Sequence, residues 1–323
     1  MYFHITDTRY LAVYTAANVG KVICFAIRWL SHCVSLRGLV RRVIQSGAKG
    51  SKQLSQNDAK YLEVILNPIR VCANYKPKFG QGRGAGLALE EFQALYQQDP
   101  FYSWFGLDNP LMYAAHKAAG GMTSIYRQIG IGCERVFRHV LQDSLGLSSE
   151  AVTWSYEALG ANGKKRKLYL DARVPLAEIP NKLARKRFQD WMKASADAVG
   201  VDGKVFAALT GTIFEVRQGY KSKDSKRQNA DISNAATAYI KSYLPCAAIL
   251  SAQIDSDILV RYRAEKWSVL TGVVGLNDPL RSTYDFMREI VGYDLAAFFE
   301  RNKETLHGEI DKVLQALLTP EAK

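Results

Sequence analysis

A chain of 323 residues, 48% of them hydrophobic, is long enough to bury a substantial core, and we read it as one main domain with a helical addition. Its formal charge of +12 and pI near 9.4 favour a polyanionic partner, because counterions released from phosphate reward a basic surface. Its five cysteines, Cys24, Cys33, Cys72, Cys133 and Cys246, are scattered and contain no C-x-x-C pair, which argues against a disulfide framework or a zinc ribbon and suits reduced thiols in a cytoplasmic protein.

Residues 1–75 read as a helical accessory region. Leu62, Ile65 and Leu66 recur at helical spacing until Pro68 interrupts them. The apolar stretch from Tyr10 to Val34 is broken by Lys21, Arg28 and His32, so a packed helix is expected there and no membrane span. The N-terminus also lacks the order of a secretory signal. Residues 76–124 form a loop and an aromatic-rich helical segment. The loop from Lys76 to Gly86 has glycines at 80, 82, 84 and 86, which miss the G-x-G-x-x-G spacing of a dinucleotide site. Phe92, Tyr96, Phe101, Tyr102, Trp104, Phe105 and Tyr113 are expected to pack as core between short helices.

From residue 125 to 323 the pattern is that of an α/β domain. Ile129, Cys133, Val136, Phe137, Val140 and Leu141 predict a helix over 125–145, ended by Gly146. A hairpin follows, with strands at 152–156 and 167–174 around the turn residues 160–163. A helix near 181–199, a buried strand over 209–216, a helix over 224–243, a strand over 246–251, a strand around 269–274, and helices over 280–291 and 293–318 complete the chain.

Charge is distributed unevenly along these elements. Residues 164–227 hold 16 Lys or Arg against 7 Asp or Glu, and residues 1–60 hold 9 against 2. Within the first excess, Asp171 and Glu215 fall in predicted strands among apolar neighbours, where a carboxylate is costly without a cation. Strand alternation places Glu215, Arg217, Gly219 and Lys221 on one face if the strand continues. Lys226, Arg227 and Gln228 follow in the first turns of the next helix. Carboxylates that hold a hard divalent cation, beside side chains that neutralise phosphate, are what metal-assisted phosphodiester hydrolysis requires. The isolated histidines and the lack of G-x-S-x-G or G-x-x-x-x-G-K-[ST] argue against a zinc hydrolase, an α/β hydrolase and a P-loop ATPase.

In residue pattern and element order, 125–251 resembles the PD-(D/E)XK nuclease superfamily, and the whole chain resembles a type II restriction endonuclease. The resemblance implies a restriction-endonuclease-like mixed central sheet flanked by helices, with an N-terminal helical region. It implies Mg²⁺ held by Asp171 and Glu215, with Glu134 on the preceding helix tuning the site. Lys223, Lys226 and Arg227 would then hold phosphates, and Gln228 and Asn229 are candidate base readers. Double-stranded DNA, a homodimer matched to a two-fold symmetric site, and a cognate DNA methyltransferase are the implied partners. The sequence departs from the family at the Glu-x-Lys position, which reads Glu215-Val216-Arg217. Arginine stays protonated, so either Arg217 acts purely as a charge or Lys221 takes the lysine role. The departure also supports a second reading, a non-catalytic nucleic-acid-binding protein that retains the nuclease fold.

Overall fold

The structure, a computed structural model, describes residues 57–79, 86–159, 165–219 and 225–319. The chain divides into compact units 1–57 and 58–323, and the described residues beyond Asn57 belong to the second. The helices expected before residue 57 and the glycines at 80, 82 and 84 lie outside the described residues.

At the centre is a four-stranded sheet in the order β3-β4-β5-β6. Its strands are β3 (Ala172–Pro175), β4 (Gly211–Arg217), β5 (Tyr243–Ile249) and β6 (Ser268–Leu270). β3 runs antiparallel to β4, while β4, β5 and β6 are parallel. Parallel strands need helical crossovers that cover both faces of a sheet, and the near-continuous burial of β4 and β5 follows from that. A separate antiparallel ribbon pairs β1 (Trp154–Leu159) with β2 (Lys165–Leu170). The chain is thus mixed α/β.

One sheet face carries Ala172, Val174, Phe214, Val216, Leu244, Cys246 and Ala248 into the main core. Against it pack α1 (57–70), α4 (Pro110–Leu145), α5 (Lys182–Ala198) and the C-terminal helices, α10 (Leu295–Arg301) and α11 (Lys303–Leu318). Gly132 lets α1 lie directly on α4, since a Cβ there would sit 3.1 Å from the Ile65 backbone. The opposite face carries Ala247, Ile249 and Val269, covered by Ala235 of α7 (Ser225–Ile240) and by Ile258 and Tyr262 of α8 (Ser256–Ala264). Trp154, Tyr156 and Leu170 of the ribbon pack beside Ile213 and Ala238 on that same face.

Several expectations are revised. The helix predicted over 125–145 begins at Pro110, where Asn109 accepts hydrogen bonds from the amides of Leu111 and Met112 and so caps it. Of the aromatics expected in the core, Phe92 and Tyr113 are buried, but Phe101, Trp104 and Phe105 are exposed on or just beyond the short helix Pro100–Trp104, too short to cover them. The strand predicted over 167–174 is broken at Asp171. The strand expected around 269–274 shrinks to Ser268–Leu270, and the last predicted helix is interrupted at Asn302.

The ring of Phe214 ties sheet to helices, with centroids 5.3 Å from Phe137, 6.3 Å from Trp191 and 5.6 Å from Phe286. Phe214→Ala is expected to cost about 3–5 kcal/mol in chemical denaturation, because the surrounding rings cannot collapse into the space. A loss below about 1 kcal/mol would show that this cluster does not hold the sheet to its helices.

Candidate active site

Asp171 sits on a bend where the chain passes from the ribbon to the central sheet. Its amide donates to the carbonyl of Phe214 at 3.0 Å, and its carboxylate accepts the amide of Val216 at 2.7 Å. β3 pairs with β4 only as far as Ala172 opposite Phe214, so the Val216 N–H lies past the end of that ladder. The carboxylate supplies the acceptor that a buried N–H requires. Arg138 of α4 donates to the Asp171 carbonyl at 2.6 Å, which ties the bend to the long helix.

Glu215, one residue before that amide, points to the opposite face from Phe214 and Val216, as strand alternation requires. It is 6% exposed. Arg217, two residues on and therefore on the same face, forms an ion pair with Glu215 and reaches Asp231 of α7 at 3.0 Å. Asp231 in turn accepts a hydrogen bond from the hydroxyl of Tyr262 on α8. Tyr156 of the ribbon donates to Asn234 of α7, one helical turn from Asp231. Strand, ribbon and two helices therefore converge on one buried polar cluster.

Its electrostatics are unbalanced. Glu134 on α4 is half-buried and raises the proton affinity of Glu215, as do Asp171 and Asp231. Four carboxyl groups thus share the site with the guanidinium groups of Arg217 and Arg138. Burial, followed by the charge of Asp171, pushes the pKa of Glu215 well above the usual carboxylate range, against the opposing pull of Arg217. Burial raises Asp171 as well, partly offset by the Val216 amide and the two arginines.

Asp171, Glu215, Arg217 and Glu134 are therefore brought together. Lys221 and Lys223 lie outside the described residues, and β4 ends at Arg217, so the strand does not continue through Gly219. Lys226, Arg227 and Gln228 belong to the first turn of α7, with side chains outside those described. The exposed Asn229 accepts a hydrogen bond from Arg261 at 2.6 Å. Sequence reasoning missed Asp231, Tyr262 and Arg138. Asp231 did carry a signal, since it shares the helical stripe of Ala235 and Ala238, and a carboxylate on a buried stripe demands a partner.

Asp171 and Glu215 offer two hard oxygen donors, the protein share that Mg²⁺ ordinarily takes before water and substrate phosphate complete its shell. Among the described residues no group of three or more His, Cys, Asp or Glu is arranged to hold a metal. The donor set fits an ion completed by substrate rather than one caged by protein. Among the described residues, too, no helix is long and apolar enough to cross a membrane. Cys72, Cys133 and Cys246 are buried free thiols.

A carboxyl whose folded-state pKa is raised binds its proton more tightly folded than unfolded, so its contribution is full at low pH and is lost as pH rises through the folded value. Glu215→Gln removes that loss. The variant is expected to melt several degrees above the wild type at pH 8 and to converge with it near pH 4. A melting difference that stays constant across that range would show that Glu215 is not held against its ionisation.

Comparison with protein-family models, with curated proteins and with solved structures returned no match.

Proposed function

We propose that the chain is a Mg²⁺-dependent endonuclease of the PD-(D/E)XK class that hydrolyses phosphodiester bonds of double-stranded DNA, in the manner of a type II restriction enzyme. The observation that carries this reading is the buried juxtaposition of Asp171 and Glu215 at the junction of a ribbon and a mixed sheet, with Arg217 on the same face. The order of elements supports it: α4 bearing Glu134, the ribbon leading to Asp171, β4 bearing Glu215, then α7 and the parallel strand β5. The basic excess over residues 164–227 supports a nucleic-acid substrate.

In this reading Asp171 and Glu215 hold the metal through oxygens that burial has stripped of water, and Glu134 adds negative charge from α4. When bound, Mg²⁺ supplies charge neutralisation at the phosphate and a lower pKa for the attacking water. Arg217 contributes a permanent positive charge, oriented by Asp231, for the charge that builds on phosphate oxygens. Cutting both strands at a two-fold symmetric site would take two copies of the chain, and a partner methyltransferase would protect the host's own sites.

Supercoiled plasmid incubated with the purified chain in Mg²⁺ should be linearised at discrete positions, and sequencing of the ends would give the site and its overhang. Asp171→Ala and Glu215→Ala are each expected to lower cleavage at least about 100-fold while leaving DNA binding in place. A chain that binds duplex DNA yet nicks none in Mg²⁺ or Mn²⁺ overturns the catalytic reading and leaves the non-catalytic binder. Cleavage of RNA alone would move the substrate.

If Arg217 acts as a charge, Arg217→Lys should retain more cleavage than Arg217→Met, with the methionine variant at least about 10-fold below the lysine one. Equal activities would transfer the cationic role elsewhere, Lys221 first.

A further inference from the structure

The ribbon has two unlike faces. Trp154, Tyr156 and Leu170 turn inward against Ile213 and Ala238. The residues between them in register, Ser155 and Glu157 on β1 and Lys165, Lys167 and Tyr169 on β2, turn outward. Lys165 is 74% exposed on its side chain and Tyr169 is 62% exposed. Lys167 extends over the Tyr169 ring, 5.5 Å from its centroid. Glu157 alone among these outward residues is acidic, and it pairs with Lys165 at 3.0 Å. In sequence, Lys165 and Lys167 belong to the unbroken cationic run Lys164-Lys165-Arg166-Lys167.

An exposed cation-rich ribbon face joined to the site by its own strand has two features that select its partner. Its charge suits a polyanion, and a two-stranded ribbon has the width that a DNA major groove admits. Lys167 lies four positions before Asp171 and Lys165 six, about 13 and 20 Å at ~3.3 Å per strand residue. Along one DNA strand at ~3.4 Å per step, that is about four to six nucleotides. We propose that the outward face of the β1–β2 ribbon, through Lys165, Lys167 and Tyr169, is a DNA-contacting arm that holds the duplex backbone about four to six nucleotides from the bond at Asp171. This rests on the nuclease reading for its choice of duplex DNA. Glu157 tempers the arm by competing with phosphate for Lys165, an exposed pairing that costs little to exchange.

The test is the salt dependence of binding, measured with the full-length chain and a 30-base-pair fluorescent duplex in EDTA and in Ca²⁺. Each lysine–phosphate contact contributes about 0.9 to the slope of log K against log salt. Lys165→Gln with Lys167→Gln is therefore expected to lower the slope by about 1.8. Glu157→Gln should bind more tightly than the wild type, a change of sign that a merely loosened hairpin would not produce. Lys303→Gln, on the distant C-terminal helix, should leave the slope unchanged. A wild-type chain that binds the duplex, with the same slope in the double variant, overturns the arm and leaves the nuclease reading standing. A wild-type chain that binds in neither buffer overturns both.

Discussion

The guanidinium of Arg217 is the interaction on which the rest of the site depends. It lies on a strand buried from both sides, where an unpaired charge would cost several kcal/mol, and it is held by Glu215 of its own strand and Asp231 of the helix above. Tyr262 then pins Asp231 from α8. The position of α7 over the sheet is thereby set by charge as well as by apolar packing, since the alanines at 235 and 238 offer little side chain to grip with. Removing the arginine would take from Asp171 and Glu215 the positive charge that favours their ionised forms, and from Asp231 its ion-pair partner. Apolar residues of similar volume would hold the same elements together at lower cost.

Asp171 performs the complementary task of joining two sheets. Its backbone hydrogen-bonds to Phe214 while its carboxylate covers the Val216 amide, so the bend is specified from both ends of one residue. That bend lets β2 leave the central sheet and pair with β1, which places the ribbon's aromatic face over Ile213 and its hydroxyl at Tyr156 within reach of Asn234. The ribbon's direction and the carboxylate's position are therefore one decision. A substitution at Asp171 must be judged for the bend as well as for any metal, which is why retained DNA binding is a necessary companion to lost cleavage.

The elements that the sequence made legible were those with a strong period or a strong stop. Ile129 to Leu141 announced α4, Gly146 ended it, and the apolar runs of β4 and β5 were visible as buried strands. Asp171 and Glu215 stood out because a charge inside an apolar run needs an explanation, and Arg217 because strand alternation puts it on the face of Glu215; in the structure the three share one buried neighbourhood. What stayed hidden depended on contacts between distant segments. The break at Asp171 follows from a hydrogen bond across 45 residues, which no local pattern encodes. The extension of α4 back to Pro110 rests on such a contact as well, since Gly121 faces Leu317 of α11 with no room for a Cβ unless that side chain shifts. The exposure of Trp104 and Phe105 likewise reflects a helix too short to bury them, a property of the fold and not of composition.

At the proposed site, an arginine two residues beyond Glu215 would divide the chemistry differently from a lysine there. A lysine can in principle give and take a proton, whereas an arginine supplies charge alone. Proton acceptance would then rest with the carboxyl groups, and a buried carboxyl with a raised pKa is a stronger base than one in water. Glu215 and Asp171 are both raised by burial, and the charge that restrains them comes from an arginine held in place by a third carboxylate. The same desolvation that makes these groups costly to fold makes them effective at binding a cation or a proton. Asp231, by fixing Arg217 at 3.0 Å, sets how far that tendency is checked.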